Sequence, residues 1–316
     1  MKPYLIFFSF AMLTITSAAQ RTEKFYDYQW RTVPVGKARF YSLIEKDGDR
    51  YHRLDYFIQE NKLQMNGYYT DSNCNIKQGD FQYYHPNGRL EIKSSYVNNK
   101  LNGGYLSFYN NGMMNDSSFY SNGDIIGNSF GWHPDGTMED STVMNEDGSG
   151  VTVTWHDNGV PSSAGYFAPG RERRGTWQYF HYNGKSSAKE QYDKGKMIEK
   201  KYFDENGIGE NDTASTDREV SFTGGSKAWM KYVSKHAYFP DGWRIVNTDA
   251  VVVVVSATIN EEGKVTDAYV SSPFHPSFDQ IALKMMRSSP RWIPAIAHHR
   301  KIKSYIRQPI TFQEAE

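Results

Sequence analysis

The sequence predicts a mainly β chain, a long antiparallel meander of β-hairpins followed by a small α+β domain. Three observations carry that prediction. A glycine recurs at positions 88, 112, 136, 159, 184 and 207, at spacings of 24, 24, 23, 25 and 23 residues. An aromatic residue stands four positions before each of them: Tyr84, Phe108, Trp132, Trp155, Phe180 and Phe203. From Val220 onward this register disappears, and helical spacings and the valine run Val251–Val255 take over.

Residues 1–19 have the form of a signal peptide. Lys2 supplies the positive start, Leu5 to Thr16 the apolar core, and Ser17-Ala18-Ala19 the small residues of a cleavage site. That core is shorter than the ~20 residues a spanning helix needs. Export with cleavage near Ala19 and a periplasmic location are therefore expected, with retention as an inner-membrane anchor as the alternative. Cys74 is the only cysteine, which leaves no internal disulfide to form. Residues 20–78 contain hairpin signals such as Asp47-Gly48 and Asn66-Gly67 without the repeat register. They read as a lead-in and degenerate repeats, as expected where the outer edge of an array must be capped.

The repeats proper span residues 79–207. Nine residues before the first five turn glycines stand Gly79, Gly103, Gly127, Gly150 and Gly175, each expected to open a strand. Asn or Asp precedes every turn glycine, and an Asn-Gly or Asp-Gly pair between aromatic runs predicts a tight hairpin with positive φ at both residues. Eight residues after the glycine come Tyr96, Tyr120, Met144, Phe167 and Tyr192. Gly131 and Ser129 replace aromatics in the third copy, where a thin or bent sheet is expected. The unit resembles the MORN repeat, in the diverged form associated with bacterial toxin–antitoxin labels. That resemblance implies a scaffold or interaction surface.

His85, His133, His156 and His181 share the position three before the turn glycine. Equivalent residues lie two strands apart, roughly 9.6 Å, whereas zinc ligands place nitrogen about 2 Å from one ion. The expectation is therefore polar, ring-stacked side chains beside the turns and no metal. His298-His299 reads as a solvated loop.

Residues 208–219 are polar and read as a flexible linker, spanning roughly 20 Å as a coil. Residues 220–316 order as helix (Ser226 to His236), strand (Val251 to Ile259), strand (Lys264 to Ser271), helix (Ser277 to Arg287) and strand (Lys301 to Phe312). The valine strand has the pattern of one buried on both faces. Phe222-Thr223-Gly224-Gly225, Phe239-Pro240, Asn260-Glu261-Glu262-Gly263 and Pro290-Arg291-Trp292-Ile293-Pro294-Ala295 resemble the TonB carboxyl-terminal domain. The matching motif positions are Gly224, Gly225, Pro240, Gly263, Trp292, Pro294 and Ala295.

The TonB resemblance implies binding of a protein or peptide segment by strand addition, with a TonB-dependent outer-membrane receptor as one partner. The expected edge is Lys301 to Ile310, with Lys301, Ile302, Lys303, Ser304, Tyr305, Ile306 and Arg307 as the contact residues. Lys plus Arg and Asp plus Glu both number 36, so no charge excess directs the chain to nucleic acid. No nucleophile elbow, phosphate loop or zinc-protease motif occurs in the sequence. The reading is a non-enzymatic envelope protein without cofactor or metal, associated peripherally with the envelope. The alternatives are a TonB-type energy transducer with a retained anchor and a structural or glycan-binding repeat protein.

Overall fold

The computed structural model describes residues 21–211, 214, 216–244 and 250–313. The expected signal peptide, residues 1–19, lies outside them. Residues 21–202 form one antiparallel sheet of 16 strands, from Arg21–Tyr26 to Lys196–Tyr202, in sequence order except that the two-residue strand Asp124–Ile125 pairs aside with Met114–Ser121. Gly127 and Gly150 open strands as expected, whereas Gly79, Gly103 and Gly175 sit two or three residues inside theirs.

The Asn-Gly turns depart from the expected geometry. At the Asn-Gly turns only the glycine takes positive φ, as at Gly88 (87°) and Gly112 (90°). Gly88 N–H donates to the His85 carbonyl at 2.8 Å, and His85 N–H donates to the Arg89 carbonyl at 2.9 Å. This is a type I turn closed by a left-handed glycine bulge. The pair with positive φ at both residues lies at the return turns instead: Asn98-Asn99 (48° and 69°), Asn122-Gly123 (52° and 99°) and Lys194-Gly195 (48° and 75°). Asn at the bulged turns has a different task. Asn87 Oδ1 accepts from Arg89 N–H at 2.9 Å while its Nδ2 donates to the Asn110 carbonyl at 2.8 Å. Asn111, Asn158 and Asn183 repeat that reach to the next turn.

The histidine series joins neighbouring repeats. All four rings are buried, and each Nε2 bonds the carbonyl of the aromatic residue one repeat on: His85 to Phe108 (2.9 Å), His133 to Trp155 (3.2 Å), His156 to Phe180 (3.1 Å) and His181 to Phe203 (2.9 Å). Tyr109 fills the same position in the second copy and donates its hydroxyl to the Trp132 carbonyl at 2.8 Å. A buried carbonyl left unpaired is costly, so this row makes each repeat depend on the next.

One face of the sheet is filled by its own aromatics at two places, around Phe81 and around Trp177. Gly67 and Gly165 accommodate those rings: a Cβ would stand 2.2 Å from Phe81 and 2.1 Å from Trp177. Between the two clusters the face carries small residues. A Cβ at Gly131 would meet Asp140 Oδ1 at 2.1 Å, and Ser129 bonds Ser118 at 2.8 Å. The third copy thus makes room for a carboxylate.

The carboxyl-terminal unit is a three-stranded sheet with Val251–Ile259 central, flanked by Val265–Ser272 and Ser304–Phe312. Helices α1 (Gly225–His236) and α2 (Pro276–Arg287) pack on the face formed by Val251, Val253, Val255, Ala257 and Ile259. The expected final strand divides in two. Arg300–Ile302 pairs with Ala295–Ala297, and a separate strand runs from Ser304. Lys301 and Ile302 therefore belong to a hairpin rather than to the sheet edge. Lys303, between the two strands, donates to Asp157 at 2.8 Å.

The ends of the expected linker are tied. Gly209 bridges Phe203, and Arg218 exchanges backbone bonds with Ile296 at 2.9 Å each way.

Candidate functional site: an open sheet edge above a cleft

The helix-free face of the small sheet looks onto the inner face of the meander. The contacts run along the row of turns: His85 is edge-on to Tyr269 at 5.6 Å, Tyr109 and Tyr305 hydroxyls are 3.5 Å apart, and Lys303 lies 3.4 Å from His133 Nδ1. His156 Nδ1 lies 3.8 Å from Glu261. At the far end the tip of the 295–302 hairpin docks. His298 stacks on Tyr179 at 3.7 Å and bonds Glu190 at 2.8 Å, while His299 stacks on Tyr202 at 4.7 Å and bonds Glu210 at 3.1 Å. His298-His299 is thus a docking element and not a solvated loop, because Tyr179, Glu190 and Tyr202 of the meander and Glu210 just after it hold the two rings.

Between the two units lies a cleft of about 670 Å³, within the range of small-ligand sites. Tyr105, Tyr109, Tyr269 and Tyr305 line it, with Glu91, Glu139, Asp267 and Arg307. Burial pushes the Glu139 carboxyl up to about 7, although Lys303 pulls against the shift. Neighbouring Asp140 is pushed up to about 6 by burial and by the charge of Asp116. Asp267 sits at φ 51°, in a bulge opposite Ala257. Left-handed backbone disfavours a side chain there, and such bulges re-aim side chains.

Strand Ser304–Phe312 is the edge of its sheet, and no strand among the described residues pairs with its outer side. Its orientation follows from two neighbours. The Val254 carbonyl accepts from Ser271 Oγ at 3.4 Å, so it points away from Ser304–Phe312. Val254 is opposite Pro309, which lacks an N–H, so this pair is one that exchanges no ladder bonds. By alternation, the main chains of Tyr305, Arg307 and Thr311 also face outward, while those of Ser304, Ile306 and Gln308 bond the central strand. The side chains of Tyr305 and Arg307 are exposed on the cleft face.

Of the seven expected contact residues, the structure brings Ser304 to Arg307 onto this edge. It places Lys301, Ile302 and Lys303 elsewhere. The motif residues have packing positions: Trp292 is 6% exposed against Phe222 and Trp229, Ala295 and Pro240 are buried, and Pro294 is half-buried with its carbonyl accepting from Arg218 at 3.3 Å. Gly224 and Gly225, at φ 87° and 75°, start α1. The cleft residues of the meander were missed by sequence reasoning. Tyr109 and Ser107, which break the repeat pattern at the cleft, were the available signal.

Residues 237–313 match the family model described as the Gram-negative bacterial TonB protein C-terminal domain, about a quarter of the chain. The match ties this part of the molecule to protein interaction in the Gram-negative envelope. α1 precedes the matched residues, yet its Trp229, Tyr232 and Val233 pack into the same core. No curated protein was similar enough to the chain to be matched. No helix among the described residues is long and apolar enough to cross a membrane.

Proposed function

We propose that the chain is a non-enzymatic envelope adaptor whose carboxyl-terminal domain captures an extended segment of a partner protein by strand addition along Ser304–Phe312. The observation that carries this reading is the open edge with outward main chain at Tyr305, Arg307 and Thr311. In this mode main-chain bonds supply affinity and alternate side chains supply specificity. The meander, a MORN-like scaffold in this reading, holds the domain through the docked hairpin tip and forms the floor beneath the edge. A segment of a TonB-dependent receptor is a partner of the expected kind.

The register of the edge gives the test. Arg307→Pro removes an outward donor and leaves the ladder to the central strand untouched. Capture of a short peptide alternating valine and lysine should weaken about tenfold or more, with the circular dichroism of the chain unchanged. Ile306→Pro removes a ladder donor and should unfold the domain. Arg307→Ala, which keeps the donor, controls for the side chain. Undiminished capture by Arg307→Pro would refute the edge.

The apolar stretch Leu5 to Thr16 followed by Ser17-Ala18-Ala19 supports export to the periplasm. The intact mass of protein recovered from the host envelope should correspond to a chain beginning near Gln20. A mass that includes residues 1–19, together with membrane association, would favour the anchored transducer.

A further inference from the structure

We infer that the cleft beneath the edge selects partner segments carrying a lysine or arginine side chain, which enters alongside Tyr109 and Tyr305 and meets the carboxylates of Glu91, Glu139 and Asp267. The inference rests on strand addition to Ser304–Phe312. Strands of one sheet share their faces, so alternate side chains of an added strand look the way Tyr305 and Arg307 look, into the cleft.

The charges there do not balance. Three carboxylates face one guanidinium, Arg307, in a protein whose formal net charge is zero. The nearby cation Lys303 is already held by Asp157 at 2.8 Å. Among the described residues, the ion-pair contacts of Glu91 and Glu139 are the imidazoles of His85 and His133, at 4.0 and 3.7 Å. The elevated Glu139 carboxyl is what burial without a full counter-charge produces. Tyrosine faces attract a cation further, and partial desolvation strengthens that attraction.

Departures from the repeat coincide with the space. The position five before the turn glycine holds Tyr83, Tyr179 and Tyr202 in the outer copies but Ser107, Gly131 and Thr154 in the inner ones. Three before the glycine, Tyr109 stands where four copies have histidine. On the opposite wall the bulge presents the Asp267 carboxylate from a backbone conformation that usually belongs to glycine.

Two fluorescein-labelled peptides test this on the full chain by polarisation, one alternating valine with lysine and the other valine with glutamate. The lysine peptide should bind about tenfold tighter, and Glu91→Gln with Glu139→Gln should remove most of that preference. Glu199→Gln, exposed on a distant strand, should leave it intact. Equal binding of both peptides would overturn the cation selection and leave the edge standing. A preference unchanged in the double variant would overturn it too. If neither peptide binds, strand addition itself fails, and this inference with it.

Discussion

Gly263→Ala should cost the carboxyl-terminal domain about 3–5 kcal/mol, well beyond what a left-handed turn position alone explains. Gly263 sits at φ 78°, where an alanine is disfavoured by about 1–2 kcal/mol. The larger contribution is steric. A Cβ there would stand 2.0 Å from the carbonyl oxygen of Trp292 and 3.0 Å from its carbonyl carbon, and both atoms belong to backbone. The same two residues are bonded, Trp292 N–H donating to the Gly263 carbonyl at 2.8 Å. Relief would therefore break that bond and draw Trp292 away from Phe222 and Trp229 in the core. Gly242 provides the control: its φ is also 78°, but nothing lies within 4 Å of its Cβ position. Urea unfolding followed by tryptophan fluorescence should show the small turn cost for Gly242→Ala and the large one for Gly263→Ala. Equal losses would mean that the close approach contributes nothing.

The hairpin array was legible because its punctuation is local. A glycine every 24 residues with an aromatic four before it fixes strand length and the spacing of turns, and the observed sheet follows. Which turn takes which geometry was less legible. Asn-Gly satisfies both a two-residue turn and a type I turn with a glycine bulge. The choice falls to the bulge because His85 N–H finds the Arg89 carbonyl while Asn87 reaches Asn110 in the neighbouring turn. That neighbour is 23 residues away, beyond any local signal. The role of the histidines was hidden in the same way, since each acceptor lies in the next repeat.

In the candidate site, the edge strand could be read from Pro309 and from the charges Lys301, Lys303 and Arg307, but its start could not. Lys301 and Lys303 look equivalent in the sequence, and only Asp157, far back in the meander, shows why the chain turns aside at Lys303. The cleft was illegible because its two walls are about 200 residues apart at Tyr109 and Tyr305. The valine strand was correctly read as covered on both faces. The second cover is a different domain, seen only once the two are docked.

That docking turns on Glu190, and Glu190→Ala should loosen it by about 2–3 kcal/mol. Glu190 is 3% exposed and both its oxygens are engaged, one with His298 Nδ1 at 2.8 Å and the other with the Tyr192 hydroxyl at 2.7 Å. Truncation would leave the His298 ring nitrogen and the buried Tyr192 phenol without this acceptor. Burial alone would raise the Glu190 carboxyl, but the bonds from His298 and Tyr192 outweigh it and hold the group below the usual carboxylate range. A folded-state value below the unfolded one stabilises the docked form above the ordinary glutamate range, about pH 4. The contribution is lost as pH falls through the lower, folded value. The domain should therefore stay docked at neutral pH and release only in acid. Small-angle scattering, with limited proteolysis across residues 208–219, should report a more extended and more readily cleaved chain for Glu190→Ala at pH 7. The wild type should approach that state only on strong acidification. If the variant scatters and resists protease as the wild type does at neutral pH, then the row from His85 to Lys303, and not the hairpin tip, holds the two units together.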